Sequence, residues 1–387
     1  MPYIRRMLET QVEKAARGFP ALLLTGPRQC GKTTLLRKLF PRSSYVLLED
    51  PDVIARVRAD PRSFLEELTT PVVLDEIQNT PELLNYVRTR IDNAPSRRGQ
   101  WLLTGSQEAP LMQGVAESMA GRAAVLQLLP LSITESPKVS ILRGGYPGVV
   151  TRPSTAELWF RSYVQTYLER DIRAITAVRD LATYRRFLAL LASRCGTLLN
   201  KTELAGPLGV SVPTITEWLH ALEITGQILL VPPFYENFGK RLVKTPKLFF
   251  VDSGLACHLL GITSVAALRR SALYGCLFEG FVAAEIAKRQ VNGGGRVQLY
   301  YFRDQQGLEV DLIVPQGPEG LALIEAKASK TPLPSMARPL QRLADSIRRY
   351  TTRSIVVHGG TAGAEAGTAL LPGVAALSVA QLLERLQ

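Results

Sequence analysis

The stretch ALLLTGPRQCGKTTLLRKLF, Ala21 to Phe40, decides how the first third of the chain folds. It reads as an apolar strand, a glycine-bounded loop and an amphipathic helix. The loop follows the spacing G-x-x-x-x-G-K-[ST], with Gly26, Gly31, Lys32 and Thr33 at the fixed positions. The glycines let successive backbone N–H groups turn inward around phosphate oxygens. The helix that opens after Gly31 points the positive end of its dipole at the same anion. Gly26, Pro27, Arg28, Gln29, Cys30, Gly31, Lys32, Thr33 and Thr34 therefore form the expected ATP cradle. Lys32 is expected to reach the β- and γ-phosphates, and the Thr33 hydroxyl to ligate Mg²⁺.

A second signal lies some fifty residues on. PVVLDEIQ (Pro71–Gln78) is a buried strand ending in Asp75 and Glu76. Asp75 is expected to hold Mg²⁺ through its water shell, and Glu76 to polarise the attacking water. The alternative, a strand-terminal surface cluster, is weakened by the phosphate loop upstream. Three more strands, SYVLLED (Ser44–Asp50), QWLLTGS (Gln100–Ser106) and AAVLQLLP (Ala123–Pro130), alternate with helical segments, which predicts a parallel α/β sheet. Ser106 ends the strand expected beside the phosphates, where a polar side chain senses the γ-phosphate. Arg122 precedes the last strand, where ring-forming ATPases place an arginine that reaches a neighbour's nucleotide. A purely structural arginine is the other reading of Arg122.

The chain has 387 residues, enough for two or three domains, and no apolar run long enough to span a bilayer. The start, MPYIRRMLETQVEKAARG, lacks the apolar core and cleavage site of a secretory signal. Four scattered cysteines make no C-x-x-C pair, which fits a reducing cytoplasm, and three scattered histidines argue against a zinc site. A soluble cytoplasmic protein without membrane contact is expected. The net charge of +12 is uneven: residues 136–270 carry 17 Lys and Arg against 9 Asp and Glu. A polyanion would therefore bind the middle first, the alternative being a solvated basic surface.

Within that middle, NKTELAGPLGVSVPTITEWLHALEITGQILLV (Asn200–Val231) predicts a short helix over Thr202–Leu208, a turn at Gly209 and a second helix over Val212–Thr225. Ser211 is its N-cap and Pro213 sits in its first turn. Leu204, Ala205, Leu208, Val210, Ile215, Leu219 and Leu222 are spaced to pack the two helices, and GQILLV starts a wing strand. Thr214, Thr216, Glu217 and His220 face outward. Positive charge lies around them: Arg185, Arg186, Arg194, Lys201, Lys240, Arg241, Lys244 and Lys247. A winged helix that grips DNA through its phosphates is expected, sequence readout being disfavoured by the lack of arginines on the second helix. A winged helix used as a protein-packing lid is the alternative.

Near the end, GLEVDLIVPQGPEGLALIEAKAS (Gly307–Ser329) reads as two strands and a turn. Glu309, Asp311 and Ile313 alternate on one strand, and Glu325 and Lys327 on the other. The hairpin is expected to set Asp311 beside Glu325 with Lys327 next to them. Two adjacent carboxylates repel unless a divalent metal, Mg²⁺ or Mn²⁺, joins them, and a lysine beside that metal suits phosphodiester hydrolysis. Asp311, Glu325 and Lys327 are thus the catalytic candidates here, with solvated charges or a silent fold as the alternative. The Gly- and Ala-rich residues 362–376 say little, and VAQLLERLQ at the end reads as a surface helix.

LLLTGPRQCGKTTLLR, VVLDEIQNTPELLNYVRTRID, LLTGSQ and MAGRAAVLQLLPLSITE together resemble the prokaryotic AAA-type ATPases (AAA_14), often joined to a C-terminal domain of unknown function, DUF4143. YLERDI, KLFFVDSGLACHLLG and FEGFVAAEI carry the resemblance through most of the chain. It implies a helical lid after the ATPase core and a homo-oligomer joined through its nucleotide interface, a ring of six being one form open to it. The hairpin resembles the PD-(D/E)xK nuclease core, with Val310 where the proline of that name would sit. That resemblance adds Glu279, on the preceding helix, to Asp311 and Glu325 as metal ligands. The expected architecture is an AAA+ P-loop α/β domain over residues 1–135, a lid and winged helix over 136–265, and an α/β restriction-endonuclease-like domain over 266–387. The expected function is ATP-dependent binding and processing of DNA. The alternatives are an ATP-switched DNA-binding protein with an inactive nuclease fold, and a signalling or defence NTPase with protein partners.

Overall fold

Ala21, Leu22, Leu23 and Leu24 are fully buried, and a strand buried on both faces needs helices on each side. The computed structural model describes residues 3–105, 117–168, 180–234, 245–360 and 368–386. Strand β1 (Ala21–Thr25) lies inside a five-stranded sheet with β2 (Ser44–Leu47), β3 (Val72–Asp75), β4 (Trp101–Thr104) and β5 (Ala123–Gln127), in the order β2-β3-β4-β1-β5. Every pairing is parallel, as the alternation of strands and helices predicts. Leu22 and Leu24 pack with Val12, Leu35 and Leu36 on one face. Leu23 packs with Val57, Leu84 and Val87 on the other. Each such buried leucine contributes roughly 1.5–3 kcal/mol. β2 is shorter than its apolar run suggests, because Asp50 caps the helix Pro51–Ala59 by accepting from Asp52 N at 2.9 Å.

This sheet belongs to one of two compact units, made of Met1–Leu131 with Ile224–Gly226 and Val291–Arg296. The other comprises Ser132–Glu223, Gln227–Gln290 and Val297–Gln387. It therefore holds both the basic middle and the C-terminal hairpin.

In the second unit the helices Lys201–Leu208 and Val212–Ile224 form within a residue of their expected bounds. Asn200 caps the first helix, accepting from Thr202 N at 3.1 Å and Glu203 N at 3.3 Å. Gly209 turns the chain at φ 65°, and Ser211 Oγ accepts from Thr214 N at 3.2 Å. Leu204, Ala205, Leu208, Ile215, Leu219 and Leu222 are buried as the spacing requires, with Val210 partly so. Trp218 packs 5.0 Å from Phe187 of the helix Leu181–Ser193. β6 (Ile228–Val231) and β7 (Lys247–Phe250) follow as an antiparallel pair.

A mixed six-stranded sheet completes this unit. Its strands are β8 (Tyr300–Arg303), β9 (Glu309–Pro315), β10 (Gly320–Lys327), β11 (Thr351–His358), β12 (Thr368–Leu371) and β13 (Val374–Ser378), in the order β12-β13-β11-β10-β9-β8. On one face Leu312, Ala322 and Ile324 meet Phe278, Val282 and Ile286 of the helix Tyr274–Asn292. On the other, Ile313, Leu321 and Leu323 meet Leu340 and Leu343 of the helix Arg338–Ser346. The last helix, Val379–Arg385, corrects the surface reading: Leu382 and Leu383 are buried in the first of these cores. Ser378 and Gln381 form a capping box that starts it and turns its leucines inward. Among the described residues, no helix is long and apolar enough to cross a membrane.

Glu285, on the helix Tyr274–Asn292, is fully buried. Its carboxylate accepts from Ser132 Oγ at 2.6 Å, Ile133 N at 2.9 Å and Lys288 Nζ at 2.9 Å. Breaking a buried pair from one side leaves the other charge in low dielectric. Glu285→Ala is expected to destabilise the second unit by about 3–5 kcal/mol. Urea unfolding followed by fluorescence measures this; a midpoint equal to wild type would contradict it.

Candidate functional site

Two clusters of chemistry-bearing side chains stand at strand ends, one in each unit. In the first, β1 runs into the loop Gly26–Gly31. Gly26 has φ +135° and lies against β5, where a Cβ would sit 2.1 Å from Leu128 O, so only glycine fits. Gln29 and Gly31 also take positive φ, 59° and 99°, which curls the loop before the helix Lys32–Leu39. Lys32 is buried, and its ammonium donates to Gly26 O and Pro27 O, each at 3.0 Å. Cys30 is also buried, and its Sγ lies 3.1 Å from Leu128 O. Only its backbone is available to a phosphate, and burial pushes its thiol pKa up.

Asp75 ends β3 beside this loop. Thr33 Oγ1 donates to it at 2.9 and 3.0 Å, Tyr45 Oη at 2.8 Å, and Thr104 Oγ1 makes a further short bond. Tyr45 and Thr104 were not singled out by the motifs, since neither lies in a signature spacing. Burial, then the bond to Asp75, raises the Tyr45 pKa, and the Arg37 guanidinium lies 5.0 Å from its ring centroid. Glu76 follows in the left-handed region at φ 61°, its backbone N–H bonded to Thr104 Oγ1 at 3.2 Å. Its carboxylate accepts from Gln78 and lies 3.8 Å from Arg28 Nη1. The loop, Thr33, Asp75 and Glu76 are thus brought together as expected. Arg122 instead grips Asp92 of its own chain, with Nε at 2.6 Å and Nη2 at 3.0 Å. Ser106 lies outside the described residues, as do Lys240, Arg241 and Lys244.

In the second unit the β9–β10 register sets Ile324 opposite Leu312 and so carries Glu325 across from Asp311. Asp311 Oδ2 accepts from Ala326 N at 2.9 Å and lies 3.5 Å from Lys327 Nζ, which is 2.5 Å from Glu325 Oε1. Glu325 Oε2 is buried and has no hydrogen-bond partner. Burial and the Asp311 charge push the Glu325 pKa up to about 7. They push the Glu279 pKa up to about 8.

Lys247 does not behave as a surface phosphate contact. It is 2% exposed at the start of β7. Its ammonium lies 2.9 Å from Glu279 Oε1, 2.7 Å from Glu309 Oε1 and 4.0 Å from Asp311 Oδ1. Burial pulls its pKa down, but those carboxylates outweigh burial and leave it raised. Among the described residues, no three His, Cys, Asp or Glu side chains gather as a metal cage. Glu279, Asp311 and Glu325 are therefore not the ready triad the sequence suggested, because two lysines hold them. The sequence signals for Glu309 and Lys247 are present but point elsewhere: Glu309 alternates with Asp311, and Lys247 counts among the positive charges around the second helix. The donor set still fits one divalent ion, since the unpartnered Glu325 oxygen beside Asp311 needs a positive partner.

Residues 18–136 match the family described as AAA domain (AAA_14). Residues 135–266 and 274–379 match two domains of unknown function, DUF8612 and DUF4143. Among solved structures, the Walker-type ATPase PABY2304 of Pyrococcus abyssi is 18% identical with a TM-score of 0.42, covering 67% of this chain and 98% of that one. RuvB of Thermotoga maritima is 18% identical with a TM-score of 0.30, covering 58% and 87%. The uncharacterized proteins Rv2008c of Mycobacterium tuberculosis and Mb2031c of Mycobacterium bovis are each 33% identical over 348 residues, 87% of this chain and 76% of theirs. With its phosphate loop, its parallel sheet, the AAA_14 and DUF4143 matches and the two mycobacterial relatives, the chain belongs to the same family as those proteins, a P-loop ATPase family of the AAA class carrying a DUF4143 domain.

Proposed function

We propose that this protein hydrolyses ATP in its first unit and uses its second unit to bind and cut DNA. The observation that supports cutting is the meeting of Asp311, Glu325 and Lys327 at the ends of β9 and β10, with one carboxylate oxygen buried and unpartnered. In the first unit the backbone of Gly26, Pro27, Arg28, Gln29, Cys30 and Gly31, with Thr34 behind it, wraps the phosphates. Lys32 exchanges its two carbonyl partners for β- and γ-phosphate oxygens. Thr33 and Asp75 would hold Mg²⁺, which would supply neutralisation of phosphate charge. Glu76 takes the proton of the attacking water, and Ser106 senses the γ-phosphate. For Arg122 to reach a neighbouring subunit in a ring, it must first release Asp92.

In the second unit Asp311 and Glu325 would hold one divalent ion, Mg²⁺ or Mn²⁺, which would supply Lewis acidity at a phosphodiester. Lys327 donates to the phosphate oxygen that gains charge, and Asp311 stays oriented by Ala326 N. Exposed Arg185, Arg186 and Arg194, with Lys201 beside them, supply phosphate contacts around the helix-turn-helix. Thr214, Thr216, Glu217 and His220 offer no bidentate arginine to base edges, so backbone binding is favoured over sequence readout. One observation favours a second reading. Lys247 already neutralises Glu279 and Glu309, which suits an ATP-switched DNA-binding protein with a silent nuclease fold.

Three outcomes test this. Glu76→Gln is expected to keep ATP binding and lower kcat by about 10²–10⁴-fold. Lys32→Ala is expected to lose both hydrolysis and tight ATP binding, read by phosphate release and a fluorescent nucleotide. With labelled linear, single-stranded and branched DNA and Mg²⁺ or Mn²⁺, wild type is expected to cleave and Asp311→Ala and Lys327→Ala to bind without cleaving. Uncut DNA in every lane, with salt-sensitive binding kept, would leave the silent-fold reading standing. No binding, and no effect of DNA on ATP hydrolysis, would remove DNA as the partner.

A further inference from the structure

Lys247 and the acids around it come from different parts of the chain. The lysine lies in the segment matched to DUF8612, whereas Glu279, Glu309, Asp311 and Glu325 lie in the DUF4143 match. Four carboxylates and two ammonium groups therefore share the cluster. The Lys247 ammonium holds Glu279 Oε1 and Glu309 Oε1 and stands 4.0 Å from Asp311 Oδ1. Lys327 takes other oxygens, Asp311 Oδ2 and Glu325 Oε1. Arg303 reaches Glu309 Oε2 at 3.8 Å. Among the described oxygens of this cluster, Glu325 Oε2 is buried without a partner.

The two sides of the cluster thus differ. A divalent ion between Glu279, Glu309 and Asp311 would have to displace an ammonium that is 97% shielded from water and cannot follow it into solvent. A divalent ion at Asp311 and Glu325 meets an oxygen that lacks a partner. Taking the nuclease reading above as its basis, we propose that Lys247 is a tethered cation standing where a second metal would otherwise sit, so that the site takes a single divalent ion at Asp311 and Glu325. The lysine holds Glu279 Oε1 and Glu309 Oε1 in place without itself being exchangeable.

The test uses the full chain and Mn²⁺ alone. Paired metals in a two-ion site lie about 3.5–4 Å apart, close enough for their spins to couple in electron paramagnetic resonance. Wild type at saturating Mn²⁺ is expected to give no spin-coupled pair and to bind one ion more than Asp311→Asn. Lys247→Met, shown folded by circular dichroism, is expected to gain one ion and a spin-coupled pair. Lys247→Met with Glu279→Gln is expected to lose that gain. A coupled pair in wild type would overturn the proposal even if Lys247→Met failed to fold. A folded Lys247→Met with the wild-type spectrum would overturn the role of Lys247 alone, provided Asp311→Asn still removes an ion. Asp311→Asn that removes no ion would overturn the metal reading itself and this proposal with it.

Discussion

A charge withdrawn from water must meet an opposite charge or a set of hydrogen bonds, and that constraint organises both halves of this chain. Lys247 meets it with Glu279 and Glu309, and in doing so binds β7 to the helix Tyr274–Asn292 and to β9. Glu285, six residues after Glu279 on that helix, meets it with Lys288, Ser132 and Ile133. Asp75 meets it in the first unit with three hydroxyl groups. The same requirement explains why the acids of the β9–β10 hairpin sit with lysines instead of standing apart.

The two sheets answer different needs. In the first unit five parallel strands, the inner three buried on both faces, bring their carboxyl ends to one edge, and the glycine loop and Asp75 arrive there together. The mixed sheet of the second unit uses an antiparallel hairpin to set Asp311 across from Glu325, and a parallel neighbour, β11, to support β10 along its whole length. Each arrangement places these charged groups at strand ends, where pairing holds the backbone and neighbouring side chains hold the carboxylates.

The first sheet was legible because its signals are local: an apolar strand, a glycine spacing and a carboxylate pair each sit within one short stretch. The two helices Lys201–Leu208 and Val212–Ile224 were legible for the same reason, down to the Ser211 cap of the second, whereas the Asn200 cap of the first was not singled out. The hairpin was legible in its pairing but not in its charge balance. Nothing within Gly307–Ser329 announces that a lysine some sixty residues upstream enters the same cluster. Lys247 opens an apolar strand in a basic region, and local context reads it as one more solvated cation. Leu382 and Leu383 were misread in the opposite sense, because a short helix of mixed polarity does not reveal which sheet face it covers.

Tyr45 gives the first unit an optical handle. Its ring is 39% exposed on the edge strand β2, yet its hydroxyl donates to the buried carboxylate of Asp75. A phenol bonded to a carboxylate absorbs and fluoresces differently from one bonded to water. Any cation that draws Asp75 toward itself loosens that bond and alters the emission of a side chain visible from outside. Tyr45 thus ties the edge strand β2 to the carboxylate at the centre of the first cluster.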